Sequence, residues 1–368
     1  MTKPANDLGE AELQRAEWAE LIDLLKKPRS VVGQTPARVV HQENKLRVLR
    51  YTPRPEGISH KTPIVIVPSL INRNYVLDLL PGKSFVAFLV EQGHDVYMID
   101  WGTPSAEDRH LDFDVYCDRY ISRAIRAARR HSGALRVHLL GYCLGGTLTS
   151  IYAAAYPERV ATLTALAAPI DFHDGGLLSA WTLTKTFDLP GLVKAFANVP
   201  WPLMQASFHM LRPTLAISKL ITLIDRRADA EFLRGFFATE IWGNDNVSFP
   251  GACYQRYIQE LYRENRLVRG EFVLSGRAAR LDSIACPTLV VTFRDDHIVP
   301  WRGAARLHEL ISSEDKDILQ LPGGHVGAVV SRRARAGLWK QMSDFWANRE
   351  DRSVAAPPVQ PESREQTN

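Results

Sequence analysis

Leu139-Leu140-Gly141-Tyr142-Cys143-Leu144-Gly145-Gly146 is the stretch that decides the reading of this chain. An apolar run ends in a glycine-flanked cysteine and passes into a helix-compatible segment. That is the nucleophile elbow G-x-S-x-G with cysteine in place of serine, a tight strand-to-helix turn that holds the nucleophile proud of a sheet edge. The flanking glycines let the backbone make the turn without a Cβ clash. With 4 cysteines and 23 glycines in 368 residues, chance supplies only about 0.016 such matches. Cys117, Cys253 and Cys286 have no comparable context and read as buried, inert thiols.

Working outward, residues 8–27 carry apolar residues at helical spacing among charges. A Pro/Gly link spans 28–36, and Val39-Val40 with 46–51 reads as a strand pair. Thr62-Pro63-Ile64-Val65-Ile66-Val67-Pro68 is the continuous apolar run of a buried parallel strand. Residues 75–92 read as helix, 95–101 as strand, 112–130 as helix and 135–140 as the strand feeding the elbow. Beyond the elbow helix, 161–170 reads as a further strand. The alternation lapses over 172–275, then returns with strands at 287–293 and 318–321 and a helix at 328–346. This pattern predicts an α/β fold, a mostly parallel doubly wound sheet with an inserted, mainly helical cap. The expected divisions are a helical extension (1–45), a core (46–171 and 276–348), a cap (172–275) and a disordered tail (349–368).

The bulk composition excludes several classes. Hydrophobic residues at 45% and charged residues at 23% are ordinary globular values. A net charge of +4 without a basic, aromatic-interleaved block gives no sign of nucleic-acid binding. Cysteines without paired spacing predict neither a disulfide framework nor a zinc site. No secretory signal and no run of 18 apolar residues is visible, so no transmembrane segment is expected and the chain reads as cytoplasmic. No metal or cofactor is called for.

A cysteine nucleophile needs a base, and the base an orienting group. Elbow and alternation together resemble the α/β-hydrolase fold, in which acid and then histidine follow the nucleophile along the chain. Strand 287–293 runs into Arg294-Asp295-Asp296-His297-Ile298-Val299-Pro300. The acid-x-Ile-x-Pro form favours Asp296, with Asp295 as the alternative. Pro322-Gly323-Gly324-His325-Val326-Gly327, after the last strand, supplies the histidine. His297 lies on the wrong loop, and His94 and His138 beside strands read as structural. The backbone N–H of Leu144 is one expected oxyanion donor. The second comes from segment 68–72, where Leu70 and Ile71 are equal candidates. Thiolate attack on a thioester exchanges one thioester for another and keeps the acyl group activated, so cysteine favours acyl transfer over plain hydrolysis.

Further blocks give a narrower resemblance. They include Ile71-Asn72-Arg73-Asn74-Tyr75-Val76-Leu77-Asp78-Leu79, Gly93-His94-Asp95-Val96-Tyr97-Met98-Ile99-Asp100-Trp101-Gly102, Trp242-Gly243-Asn244-Asp245-Asn246 and Leu261-Tyr262-Arg263-Glu264-Asn265-Arg266-Leu267. With the three site motifs, these resemble the polyhydroxyalkanoate synthases, specifically the short catalytic subunit of the two-component (class III) type. Tyr142 and Leu144 fall at variable positions of the motif.

The resemblance implies an acyltransferase that polymerises (R)-3-hydroxyacyl-CoA, nominally 3-hydroxybutyryl-CoA, into polyester and releases CoA. Cys143 would hold the growing chain and His325 would remove the thiol proton. Asp296 would assist His325 or activate the substrate 3-hydroxyl. The resemblance also implies a small helical companion subunit, a homo-oligomer and residence at the surface of polyester granules. The rival readings are a cysteine thioesterase or lactone hydrolase of the same fold, and a catalytically silent scaffold on the granule.

Overall fold

A computed structural model describes residues 6–27 and 31–350. Eight strands form one sheet: β1 (Ala37–Glu43), β2 (Leu46–Tyr51), β3 (His60–Val67), β4 (His94–Asp100), β5 (Val137–Tyr142), β6 (Val160–Leu166), β7 (Thr288–Phe293) and β8 (Lys316–Leu321). Their spatial order is β1-β2-β4-β3-β5-β6-β7-β8. Only β2 runs against the rest, pairing antiparallel with both β1 and β4. From β4 to β8 every pairing is parallel.

Alternation along the central strands splits the core in two, because successive side chains point to opposite faces. Val65, Val67, Leu139, Leu163 and Val290 pack on one face with α3 (Ile121–Ser132) and α4 (Leu144–Ala155). Ile64, Ile66, Leu140, Tyr142, Leu166 and Val291 pack on the other with α2 (Phe85–Glu91), Trp339 and Trp346. All of α4 is buried, which suits a helix apolar on every side (Leu, Gly, Thr, Ile, Ala) beneath the sheet edge.

Two helices expected from the sequence take other forms. Over 75–92 the chain makes a 3-10 turn (Asn74–Leu77), breaks at Pro81-Gly82, where Gly82 has φ +74°, and re-enters helix only at α2. Ser84 caps α2 by accepting from Ala87 N at 2.9 Å. Over 112–130 a π-helical turn (Val115–Tyr120) leads into α3, which stops at Gly133 in the left-handed conformation. The N-terminal 45 residues are not helical throughout. A helix, α1 (Asn6–Lys26), is followed by β1, which joins the main sheet. The expected tail falls, from residue 351 on, outside the described residues.

Between β6 and β7 the chain adds no strand to the main sheet. It forms α5 (Leu177–Leu183), α6 (Leu189–Phe196), α7 (Trp201–Met210), α8 (Leu215–Asp225), α9 (Ala230–Asn244) and α10 (Gly251–Arg256), and α10 passes into a π-helix, Tyr257–Arg263. This segment is fastened to the loop after β3. Val247 N donates to Ile71 O at 3.2 Å, Trp242 Nε1 to Arg73 O at 2.8 Å, and Tyr75 Oη to Asp245 at 3.0 Å.

Candidate active site

Cys143 is the single residue between β5 and α4, with φ +55° and ψ −129°. A β-carbon in that region is strained, by about 1–3 kcal/mol, and persists only where the surroundings dictate it. Here Cys143 N donates to Leu166 O at 2.9 Å and Gly146 N closes the first turn of α4 on Cys143 O at 2.8 Å. The two glycines are required by close approach, since neither has a positive φ. A Cβ on Gly145 would meet the Val67 and Pro68 carbonyl oxygens, and one on Gly141 the Thr149 hydroxyl and the backbone of 145–146. Helix α4 can therefore start directly against the ends of β3 and β5. Cys143 is half-buried and touches both halves of the core.

His325 and Asp296 meet at this point. Asp296 follows β7, and its Oδ1 accepts from Ile298 N at 2.9 Å and Val299 N at 2.8 Å. Its Oδ2 lies 2.7 Å from His325 Nδ1. Both side chains are buried, and the Cys143 sulfur is close enough to bear on the charge of the same imidazole. Burial alone would push the imidazole pKa down. The Asp296 carboxylate and the Cys143 sulfur reverse this and hold it well above the usual histidine value.

Asp295 is exposed and does different work. Its Oδ2 accepts from Gly323 N at 3.1 Å, and its own N–H donates to Gly323 O at 3.1 Å, so it staples the β7 turn to the histidine loop. His297 is exposed, beside an opening lined by Phe172, Asp174, Tyr262 and Pro300. His94 and His138 are buried in other contacts: His94 Nε2 bonds Ser343 Oγ at 2.8 Å and His138 Nδ1 bonds Thr162 Oγ1 at 2.9 Å. Leu70 is buried and Ile71 half-buried on the loop leaving β3, and Trp101 Nε1 holds that loop by donating to Pro68 O at 3.0 Å.

Sequence reasoning missed the aromatic wall opposite the thiol. Tyr257 and Tyr262, from the π-helix, have ring centroids 5.4 Å apart and pack edge-on against Phe172. Burial raises both phenol pKa values well above the usual value, with Cys143 among the contributing neighbours. Their placement among apolar residues of a short, mixed polar and apolar helix was the available signal, but it pointed equally to core packing. Also missed was Tyr142, whose ring stacks on the imidazole of His325.

A larger cavity lies elsewhere, among Thr35, Arg47, Tyr51, Arg73, Asp78 and Asp245. Both its guanidinium groups are already paired, Arg47 with Asp100 and Arg73 with Asp245. Among the described residues no cluster of His, Cys, Asp and Glu is gathered to hold a metal ion, and no helix is long and apolar enough to cross a membrane.

Comparison with known proteins bears on the family and the fold. Residues 62–330 match the model of the alpha/beta hydrolase fold, and residues 28–89 match that of the poly-beta-hydroxybutyrate polymerase (PhaC) N-terminus. Poly(3-hydroxyalkanoate) polymerase subunit PhaC of Haloferax mediterranei is 35% identical over 94% of this chain and 73% of its own length. The PhaC subunit of Allochromatium vinosum is 35% identical over 85% of this chain and 88% of its own length. That of Cupriavidus necator, at 30% identity, is matched over only 54% of its length. Among solved structures, an esterase from Exiguobacterium antarcticum superposes with a TM-score of 0.51 at 16% identity, over 82% of this chain and 95% of its own, and speaks to the fold alone. On these grounds the chain belongs to the poly(3-hydroxyalkanoate) polymerase (PhaC) family, built on the α/β-hydrolase fold.

Proposed function

We propose that this enzyme polymerises (R)-3-hydroxyacyl-CoA, nominally 3-hydroxybutyryl-CoA, through an acyl thioester on Cys143. The observation that carries the reading is the line from Asp296 Oδ2 through the His325 imidazole to the Cys143 thiol at the elbow. In the first half-reaction the Cys143 sulfur, its proton taken by His325, attacks the substrate carbonyl. The thiolate of CoA leaves and takes the proton back from His325. In the second, His325 removes the proton from a 3-hydroxyl, whose oxygen attacks the Cys143 thioester. The chain grows by one unit and the cysteine sulfur is released. Oxyanion charge in both steps falls to the N–H of Leu144 and one N–H from Leu70 or Ile71. Asp296 is read as the orienting group, since one of its oxygens serves the imidazole and the other two backbone donors.

The α5–α10 segment is read as a cap over this site. On it Met210, Ile217, Leu220, Ile221 and Ile224 stand exposed, each more than half accessible. Such an area suits contact with an apolar partner, in keeping with a helical companion subunit, a homo-oligomer, or residence at the granule surface within the cytoplasm. No cofactor beyond the CoA thioester is invoked.

The test is incubation of the purified chain with 3-hydroxybutyryl-CoA, with and without a candidate companion, following free thiol and insoluble polymer together. Polymer accompanying thiol release is expected, and Cys143→Ala should lower both by orders of magnitude. One free monomeric acid per thiol released would replace this reading with the thioesterase. Turnover unaffected by Cys143→Ala would exclude the nucleophile.

A further inference from the structure

We propose that Tyr142, next to the nucleophile in the elbow, is a positioning residue that fixes the backbone of His325 relative to Cys143. The inference rests on His325 being the base, as read above.

Residue 142 falls at a variable position of the elbow motif, where an aliphatic side chain would fill the same core space. Tyrosine brings a hydroxyl that must find a partner once buried, and here the side chain is 2% exposed. The partner is the carbonyl oxygen of His325, to which Tyr142 Oη donates at 3.1 Å. The two rings also stack, with centroids 5.4 Å apart and planes 23° from parallel.

The loop that carries His325 needs such a hold. It is flanked by Gly323, at φ +104°, and Gly324, and the imidazole reaches Cys143 only if the loop keeps one course. Asp295 fixes the loop at Gly323, and Asp296 holds the imidazole by Nδ1. Neither fixes the main chain of residue 325 itself. Tyr142 does, and it is bonded directly to Cys143, so strand β5 carries the nucleophile and sets the height of the base with adjacent residues. A proton transfer depends on that separation, and a displacement of about 1 Å can cost roughly a hundredfold in rate.

Tyr142→Phe removes the hydroxyl and keeps the ring and its volume. Thiol release from 3-hydroxybutyryl-CoA should fall about five- to tenfold in kcat with KM little changed, a loss of one neutral hydrogen bond's worth of positioning. The second readout is the pH profile of Cys143 alkylation by iodoacetamide. That reagent reports Cys143 selectively, because burial holds the thiols of Cys117 and Cys253 far above the usual range and pushes that of Cys286 up to about 11. The alkylation profile should depart from wild type in Tyr142→Phe, because a wandering imidazole no longer meets the sulfur in one fixed geometry. Wild-type kcat together with a wild-type alkylation profile would overturn the inference. So would a fall in kcat matched by lost folded protein, the remaining enzyme alkylating as wild type does. His325→Gln, run in parallel, separates the two levels. If it loses activity while Tyr142→Phe does not, only the positioning role falls. If His325→Gln retains activity, the base assignment falls and this inference with it.

Discussion

Replacing Asp296 by asparagine tests the site at its most buried joint. Oδ1 of Asp296 accepts two backbone N–H groups, at 2.9 and 2.8 Å, and Oδ2 faces His325 Nδ1 at 2.7 Å. Asparagine has one acceptor oxygen, and the two backbone donors will claim it, since leaving them unpaired in a buried turn costs about 1–3 kcal/mol each. The amide nitrogen is then turned to His325 Nδ1, which must accept rather than donate. The imidazole is driven to the tautomer with its proton on Nε2, so the edge facing Cys143 donates and can no longer take the thiol proton. The same exchange in a serine triad lowers turnover about 10⁴-fold through the wrong tautomer. A thiol is intrinsically easier to ionise than an alcohol, so about 10³-fold is expected here. The assay is thiol release at saturating 3-hydroxybutyryl-CoA, with circular dichroism to verify folding. Asp295→Asn is the control. That side chain is exposed, its bond from Gly323 N can be kept by the asparagine oxygen, and turnover should stay within about threefold. A folded Asp296→Asn enzyme within tenfold of wild type, or an Asp295→Asn enzyme more damaged than it, would refute the reasoning.

Two further outcomes follow from packing and protonation. Gly145→Ala places a methyl group against the backbone oxygens of Val67, the last residue of β3, and of Pro68 just after it, which as main-chain atoms cannot step aside. Urea unfolding should show a loss of about 2–4 kcal/mol, and a wild-type midpoint would contradict the described approach of α4 to β3. His94 is buried, with Nδ1 lacking a partner among the described residues. Burial first, then the neighbouring His60, His138 and Arg54, lower its pKa to about 3. Below about pH 6.5 the unfolded chain takes up a proton that the folded chain refuses, so this contribution to stability is present above pH 6.5 and lost as pH falls toward 3. Between pH 6.0 and 4.5 the wild type should lose about 2 kcal/mol more than His94→Gln. Equal slopes for the two proteins would show that His94 is not the group responsible.

The parts of this molecule that were legible beforehand are those written in local pattern. The strands at 62–68 and 287–293 are continuous apolar runs between turn residues, and each appears within a residue or two of the expected place. The elbow is local too, since its glycines and cysteine carry their own geometry. The helix expected over 75–92 failed because apolar spacing outweighed Pro81-Gly82, a break that the chain obeys. Asp295 and Asp296 are alike as letters. The acid-x-Ile-x-Pro spacing favours Asp296, and the physical difference comes with the fold, which buries Asp296 under the histidine loop and leaves Asp295 exposed. The wall of Tyr257 and Tyr262 was illegible for the same reason. Nothing in a helix says that its apolar face will be laid across a thiol supplied by a distant strand.

That wall bears on why an acyl group held here should be passed on rather than hydrolysed. In the proposed reaction an acyl thioester on Cys143 would be open to any nucleophile that His325 can deprotonate, and water is the most abundant. The outcome depends on which nucleophile reaches the carbonyl, and the surroundings of the sulfur bias that choice. Phe172, Tyr257 and Leu70 are buried in the core that Cys143 packs against, and the rings of Tyr257 and Tyr262 meet edge to face. Such a lining offers water few partners, and a water molecule needs two to four of them to be held. A hydroxyl at the end of an aliphatic acyl chain meets no such penalty, because its carbon chain gains about 25 cal/mol per Å² of apolar surface buried on the same wall. The preference therefore resides in the lining as well as in the sulfur. Opening the wall by Tyr257→Ala, while leaving the thiol and its base in place, should shift the product from polymer toward free acid at comparable thiol release. An unchanged ratio of the two products would put the preference in the thioester chemistry alone.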